Sequence, residues 1–86
     1  MKKFMVKIVF KSLATPEKIQ PLLEAEQNQV KLLISNGNLE TIYLTPDKQR
    51  GWIIMKGNGK AEVESLMKGL PLYPYMKVKI FELGDN

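Results

Sequence analysis

From Phe4 to Lys11 the side chains alternate. Phe4, Val6, Ile8 and Phe10 fall on one face of an extended segment, with Met5, Lys7 and Val9 on the other. Both faces are largely apolar, so this first strand should be covered from two sides. The period then changes. Thr15-Pro16-Glu17 supplies a capping residue, a proline at the first helical position and an acid in the first turn, the signature of a helix start. The apolar stripe of that helix runs through Ile19, Leu22, Leu23, Val30, Leu33 and Ile34. Pro21 kinks it or moves its start to Gln20, and Asn36-Gly37 closes it with a left-handed cap. Leu39 to Thr45 alternates as a second strand, and Pro46 to Gly51 is turn chemistry. Trp52-Ile53-Ile54-Met55 forms a third strand, apolar on both faces. Gly57-Asn58-Gly59 then interrupts the chain, with Asn58 placed to cap. Val63, Leu66, Met67 and Leu70 share the stripe of a short second helix that ends on a left-handed Gly69. Met76 to Leu83 makes a fourth strand, and Gly84-Asp85-Asn86 is expected to fray.

The order β-α-β-β-α-β predicts an α+β, ferredoxin-like domain spanning residues 1–86: an antiparallel sheet with two helices on one face. A chain of 86 residues is too short to feed two cores. Two helices cover one side of the sheet only, which leaves Met5, Val9 and either Trp52/Ile54 or Ile53/Met55 as a continuous apolar patch. Monomers seldom tolerate such patches, so a second copy is expected against the sheet, the pair forming a dimeric α+β barrel around a shared hollow.

Composition narrows the function. The apolar fraction is 44% and the charged fraction 26%, ordinary for a soluble domain, and no apolar run approaches the roughly 18 residues of a membrane span. Met1-Lys2-Lys3 followed by apolar residues resembles the start of a secretory signal, but Lys7 splits the run and no small-residue cleavage site follows. A cytoplasmic protein that makes no membrane contact is the expectation. The chain has no cysteine and no histidine, so the thiolate metal sites, disulfides and imidazole acid-base chemistry are absent; no metal and no cofactor is expected. The net charge of +4 raises nucleic acid as a partner. However, the lysines are spread along the sequence, with neither an arginine-rich run nor a paired aromatic platform, and a solvated basic surface is the favoured reading.

Carboxylates, lysines and tyrosines remain for any chemistry. On a helical wheel Glu26 falls near the middle of the apolar arc of the first helix. A carboxylate there pairs with a cation, takes up a proton through a raised pKa, or lines a ligand cavity; the plain alternative is that it snorkels to the helix edge. A raised pKa would suit a general base working beside a carbonyl. Lys7, between Met5 and Val9, either snorkels or holds a substrate carboxylate or enolate. Tyr43, Tyr73, Tyr75 and Trp52 are candidate substrate contacts, with packing as the competing role.

The stretch Gly69-Leu70-Pro71-Leu72-Tyr73-Pro74-Tyr75-Met76 fixes the path from the second helix into the last strand, because Pro71 and Pro74 hold φ near −65° and remove ladder donors. It resembles the corresponding segment of the muconolactone delta-isomerase family, and the similarity extends from Pro16 through Gly37 to the last strand. The resemblance implies ferredoxin-like subunits pairing sheet to sheet as dimeric α+β barrels, in rings of dimers. It also implies a cofactor-independent proton shift within an unsaturated lactone, with Glu26 and Lys7 at the site. The chain departs from the family on the second strand, where Asn38, Glu40 and Thr41 replace basic residues or histidine, and in the following turn, where Gln49 replaces an aromatic. A ligand-binding or assembly module that has lost the chemistry is the alternative reading.

Overall fold

A computed structural model of the chain describes residues 1–84. The strands are β1 (Lys2–Phe10), β2 (Leu39–Leu44), β3 (Arg50–Gly57) and β4 (Met76–Leu83), and the helices are α1 (Pro16–Ile19), α2 (Leu23–Ser35) and α3 (Lys60–Lys68). The four strands form one antiparallel sheet in the order β2-β3-β1-β4. This is the ferredoxin-like α+β arrangement, with α1 and α2 acting as one bent helix opposite the same sheet face as α3. Of the expected fraying segment Gly84-Asp85-Asn86, Gly84 is exposed and lies beyond the end of β4, and Asp85 and Asn86 lie outside the described residues.

Alternation decides which face is core. Phe4, Val6 and Ile8 of β1 are buried with Ile53 and Met55 of β3, beneath Leu33, Val63, Met67, Leu70 and Leu72. Val78 and Ile80 of β4 pack against the same cluster. The residues between them therefore face away from the helices, and the cross-strand register aligns them into rows. Tyr43, Trp52, Lys7 and Lys79 form one row, and Thr41, Ile54, Met5 and Phe81 the next.

Several local expectations are corrected. The interruption expected at Pro21 takes a form that changes the helix phase: Gln20–Leu22 winds as a 3-10 turn around Pro21, which has no N–H to give to an α-helical bond. Three residues at about 120° each instead of 100° advance the stripe by roughly 60°. Consequently Glu26, Val30 and Leu33 face inward, while Ile34, expected on the core stripe, is 52% exposed. Gly37 takes the predicted left-handed conformation, with φ of 81°. Gly69 does not: its φ is −77°, and α3 ends instead through tight bonds from Gly69 N–H to Leu66 O and from Leu70 N–H to Met67 O. Gly59, not Asn58, is the residue before α3. The Asn58 N–H instead donates to Glu62 Oε2 at 3.1 Å, so the acid of the first turn reaches back to the chain.

Candidate active site

Between α2 and the sheet lies a hollow of about 560 Å³. Its floor is Ile8, Leu39, Ile42 and Ile53, its roof Ile19, Leu23 and Val30, and Leu70, Leu72 and Met76 close the inner end. This hollow is lined by residues of one chain and lies on the helix side of the sheet. It exists because α2 stands off the sheet and buries only Leu33 along its thirteen residues. Volumes of a few hundred cubic ångströms with mainly apolar walls are typical of small-molecule sites.

Glu26 is the acid of this hollow. It is half-buried, and Leu72 donates its backbone N–H to Glu26 Oε1 at 3.0 Å across 46 positions of sequence. Pro71 immediately precedes that amide. Tyr73 to Tyr75 form a 3-10 turn with Pro74 at its centre, tied back by bonds from Tyr73 N–H to Leu70 O and from Tyr75 N–H to Leu72 O. The rigid proline-rich segment thus has a specific product, an amide aimed at a carboxylate. Burial pushes the Glu26 pKa above the usual carboxylate value, and the Leu72 N–H partly offsets this by favouring the ionised form. One oxygen is held by the backbone, and no other donor among the described residues reaches the side chain. Oε2 has no hydrogen-bond partner among the described residues.

The remaining sequence candidates stand elsewhere. Lys7 projects from the helix-free face, directly opposite Trp52 on one side and Lys79 on the other, so the sheet separates it from Glu26. Tyr43, 63% exposed, shares its row with Trp52. Tyr73 lines a separate groove of about 370 Å³ beside α3 and β4, with Lys60, Glu64 and Phe81. Tyr75 packs against the core edge, and its carbonyl accepts from Lys11 N–H. Of the six, Glu26 is the one that lines the hollow. Gln49, singled out in the sequence only as a departure from the family, lines the hollow with Gln27, Lys31 and Lys48, which the sequence reading had not marked as site residues. A periodicity signal for Gln27 and Lys31 was present, since the two are four apart on the edge of the Glu26 stripe. No such signal marks a turn.

The lysines dispersed in sequence gather in space. Lys3, Lys7, Arg50, Lys56, Lys77 and Lys79 all point to the helix-free face, where Glu40 is the acid among the described residues and pairs with Lys3 at 3.5 Å and Lys56 at 3.2 Å. These ion pairs hold the Glu40 carboxyl below its ordinary pKa, the Lys56 hydrogen bond contributing most. Asn38 is likewise engaged structurally, donating from Nδ2 to Lys56 O at 3.0 Å. No group of His, Cys, Asp or Glu among the described residues is arranged to hold a metal, and no helix among them is long and apolar enough to cross a membrane.

An antiparallel β2-β3-β1-β4 sheet with helices on one side, and an apolar hollow holding one acid, defines the class: a ferredoxin-like α+β protein with room for a small molecule. The chain belongs to the muconolactone delta-isomerase family, whose profile matches residues 3–85. A crystal structure of muconolactone isomerase superposes with a TM-score of 0.79 at 19% identity, over 98% of this chain and 90% of that one. The 5-chloro-2-hydroxyhydroquinone dehydrochlorinase of Burkholderia phenoliruptrix AC1100, solved in complex with 2,5-dihydroxybenzoquinone, superposes with a TM-score of 0.78 at 12% identity, over 98% and 95% of the two chains. No curated protein matches the chain by sequence.

Proposed function

We propose that this chain is an isomerase-like protein that takes a small carbonyl or lactone compound into the hollow under α2 and moves a proton within it without a cofactor, using Glu26. The observation that carries this reading is the half-buried carboxylate with a raised pKa inside an otherwise apolar cavity. In such surroundings Glu26 is a stronger base than a solvated glutamate. Oε2 removes a proton from a carbon next to the carbonyl: the C–H bond breaks, an O–H bond forms, and the electron pair moves onto the carbonyl oxygen as an enolate. Returning the same proton to a more distant carbon of the conjugated system restores the carbonyl and leaves the double bond shifted. The reaction is redox-neutral, and the Leu72 amide keeps the carboxyl oriented throughout.

The test uses α-angelica lactone, an unsaturated γ-lactone, in deuterium oxide, with proton NMR following exchange and double-bond migration. Wild-type protein should accelerate both, and Glu26→Gln should not. Equal rates with the two proteins would remove Glu26 from the chemistry.

Self-association through the helix-free face belongs to the same reading, because Met5, Trp52, Ile54 and Phe81 form an apolar band there with no helix over it. Lys7, as an anion anchor, could act only at that contact. Two such faces would bring like charges together, so the dimer should tighten as salt rises, contrary to a charge-complementary interface. A non-catalytic ligand-binding or assembly role is the second reading. It is favoured by Asn38 and Glu40, which occupy second-strand positions with hydrogen bonds and ion pairs that serve the fold.

A further inference from the structure

The turn between β2 and β3 is exposed, yet Lys48 and Gln49 line the hollow beneath α2. Lys48 has φ of 59°, the one left-handed residue other than glycine among the described residues. Hairpin loops that need this conformation favour glycine or asparagine, which adopt it with little strain. A lysine persists there only where its surroundings over-determine the backbone, and here they do. Lys48 N–H donates to Thr45 O at 2.8 Å, Thr45 N–H to Arg50 O at 3.0 Å, and Arg50 N–H to Thr45 Oγ1 at 3.2 Å. Asp47 Oδ1 accepts from Thr45 Oγ1 at 2.6 Å and from Gln49 N–H at 3.0 Å, which keeps its carboxyl ionised and turned into the loop.

Lys31 stands on the edge of α2 and lines the same hollow. The ion pairs among the described residues are Lys2–Glu82, Lys3–Glu40, Lys56–Glu40 and Lys68–Glu64, so Lys31 and Lys48 both lack an acidic partner there. Neither lysine perturbs Glu26, whose shift comes from burial and the Leu72 amide; the two cations sit at the rim, apart from the acid. The hollow therefore has an acid at one end, apolar walls, and unneutralised positive charge at its mouth.

We propose that Lys48, with Lys31 supporting it, selects anionic ligands, holding the charged group at the rim while the apolar body fills the hollow toward Glu26. The proposal rests on the hollow being a ligand site, and it assigns anion recognition to the Glu26 side of the sheet, away from Lys7. Lys48 acts here as a specificity residue; the proton transfer itself does not need it.

The test compares benzoate with its neutral analogue benzamide, titrated into the isotope-labelled full chain and followed by NMR at the Leu72 and Gln49 amides. Wild type should bind benzoate about fivefold more tightly than benzamide, the scale of a partly exposed ion pair. Lys48→Gly, which suits the left-handed backbone, should erase that preference, and Lys48→Arg should retain it. The proposal is overturned if wild type binds both probes equally, or if Lys48→Gly leaves the preference intact or weakens both probes alike. If neither probe moves the Leu72 amide, the reading of the hollow as a ligand site fails, and this proposal fails with it.

Discussion

The two helical layers lie on the same sheet face and do opposite things. α3, nine residues long, buries Val63 and Met67 fully against Phe4 and Met55. α2, thirteen residues long, buries only Leu33, leaving Leu23 38% and Leu32 51% exposed. One half of the molecule is a close-packed core, and the other is an arch over a hollow. This division is what makes Glu26 tolerable. If α2 packed as tightly as α3, an unpaired carboxylate at that position would cost several kcal/mol to bury. Standing off the sheet leaves it half-solvated, with a raised pKa and one backbone donor.

The comparison can be broken most directly by deleting apolar volume from each half. Met67→Ala should lower unfolding free energy by about 2–5 kcal/mol, whereas Leu23→Ala, at the partly exposed wall of the hollow, should cost under about 1 kcal/mol. Urea denaturation measures both, and equal losses would erase the distinction. Next in size is Glu26→Gln, expected to reduce lactone proton exchange at least about 100-fold while the fold persists, since Gln can still accept from Leu72. Gly51→Ala sharpens the picture at the sheet end of the hollow. Its Cβ would lie 2.6 Å from Leu44 Cδ2 and 3.0 Å from the Tyr43 carbonyl oxygen, and calorimetry should register a loss of about 1–3 kcal/mol. The smallest effect belongs to the helix-free face. Lys7→Glu converts a like-charge row with Lys79 into an opposite-charge one and should raise monomer stability by about 0.2–1 kcal/mol.

The strands were legible because alternation directly states which side chains share a face, and β4 lies where Met76 to Leu83 placed it. The long helix was legible in extent, but its phase was not. A 3-10 turn at Pro21 rotates everything after it, and no wheel drawn through Ile19 could know that Ile34 would swing outward. Glu26 was found because a single acid on an apolar arc is a local anomaly. Its partner was not, since the Leu72 amide is a backbone group and carries no residue-type signal. Lys7 looked equivalent to Glu26 on apolar grounds alone, yet strand parity put it on the far side of the sheet. Lys48 was invisible for a different reason: a polar residue in a polar turn is unremarkable until its φ and its position over the hollow are known.

The ionisation of Glu26 joins these threads. A glutamate whose folded pKa is raised contributes stability that is full below its unfolded pKa, near 4.3, and is lost as pH rises through the folded value. Glu26→Gln, which does not titrate, should therefore gain stability relative to wild type over that interval. The decisive measurement is the carboxyl-carbon NMR titration of Glu26 in the native chain. A midpoint above the ordinary glutamate range, returning toward that range only on unfolding, is the predicted result. A midpoint at or below the ordinary value in the folded protein would mean that the carboxylate is solvated or strongly paired, and the hollow would lose its base.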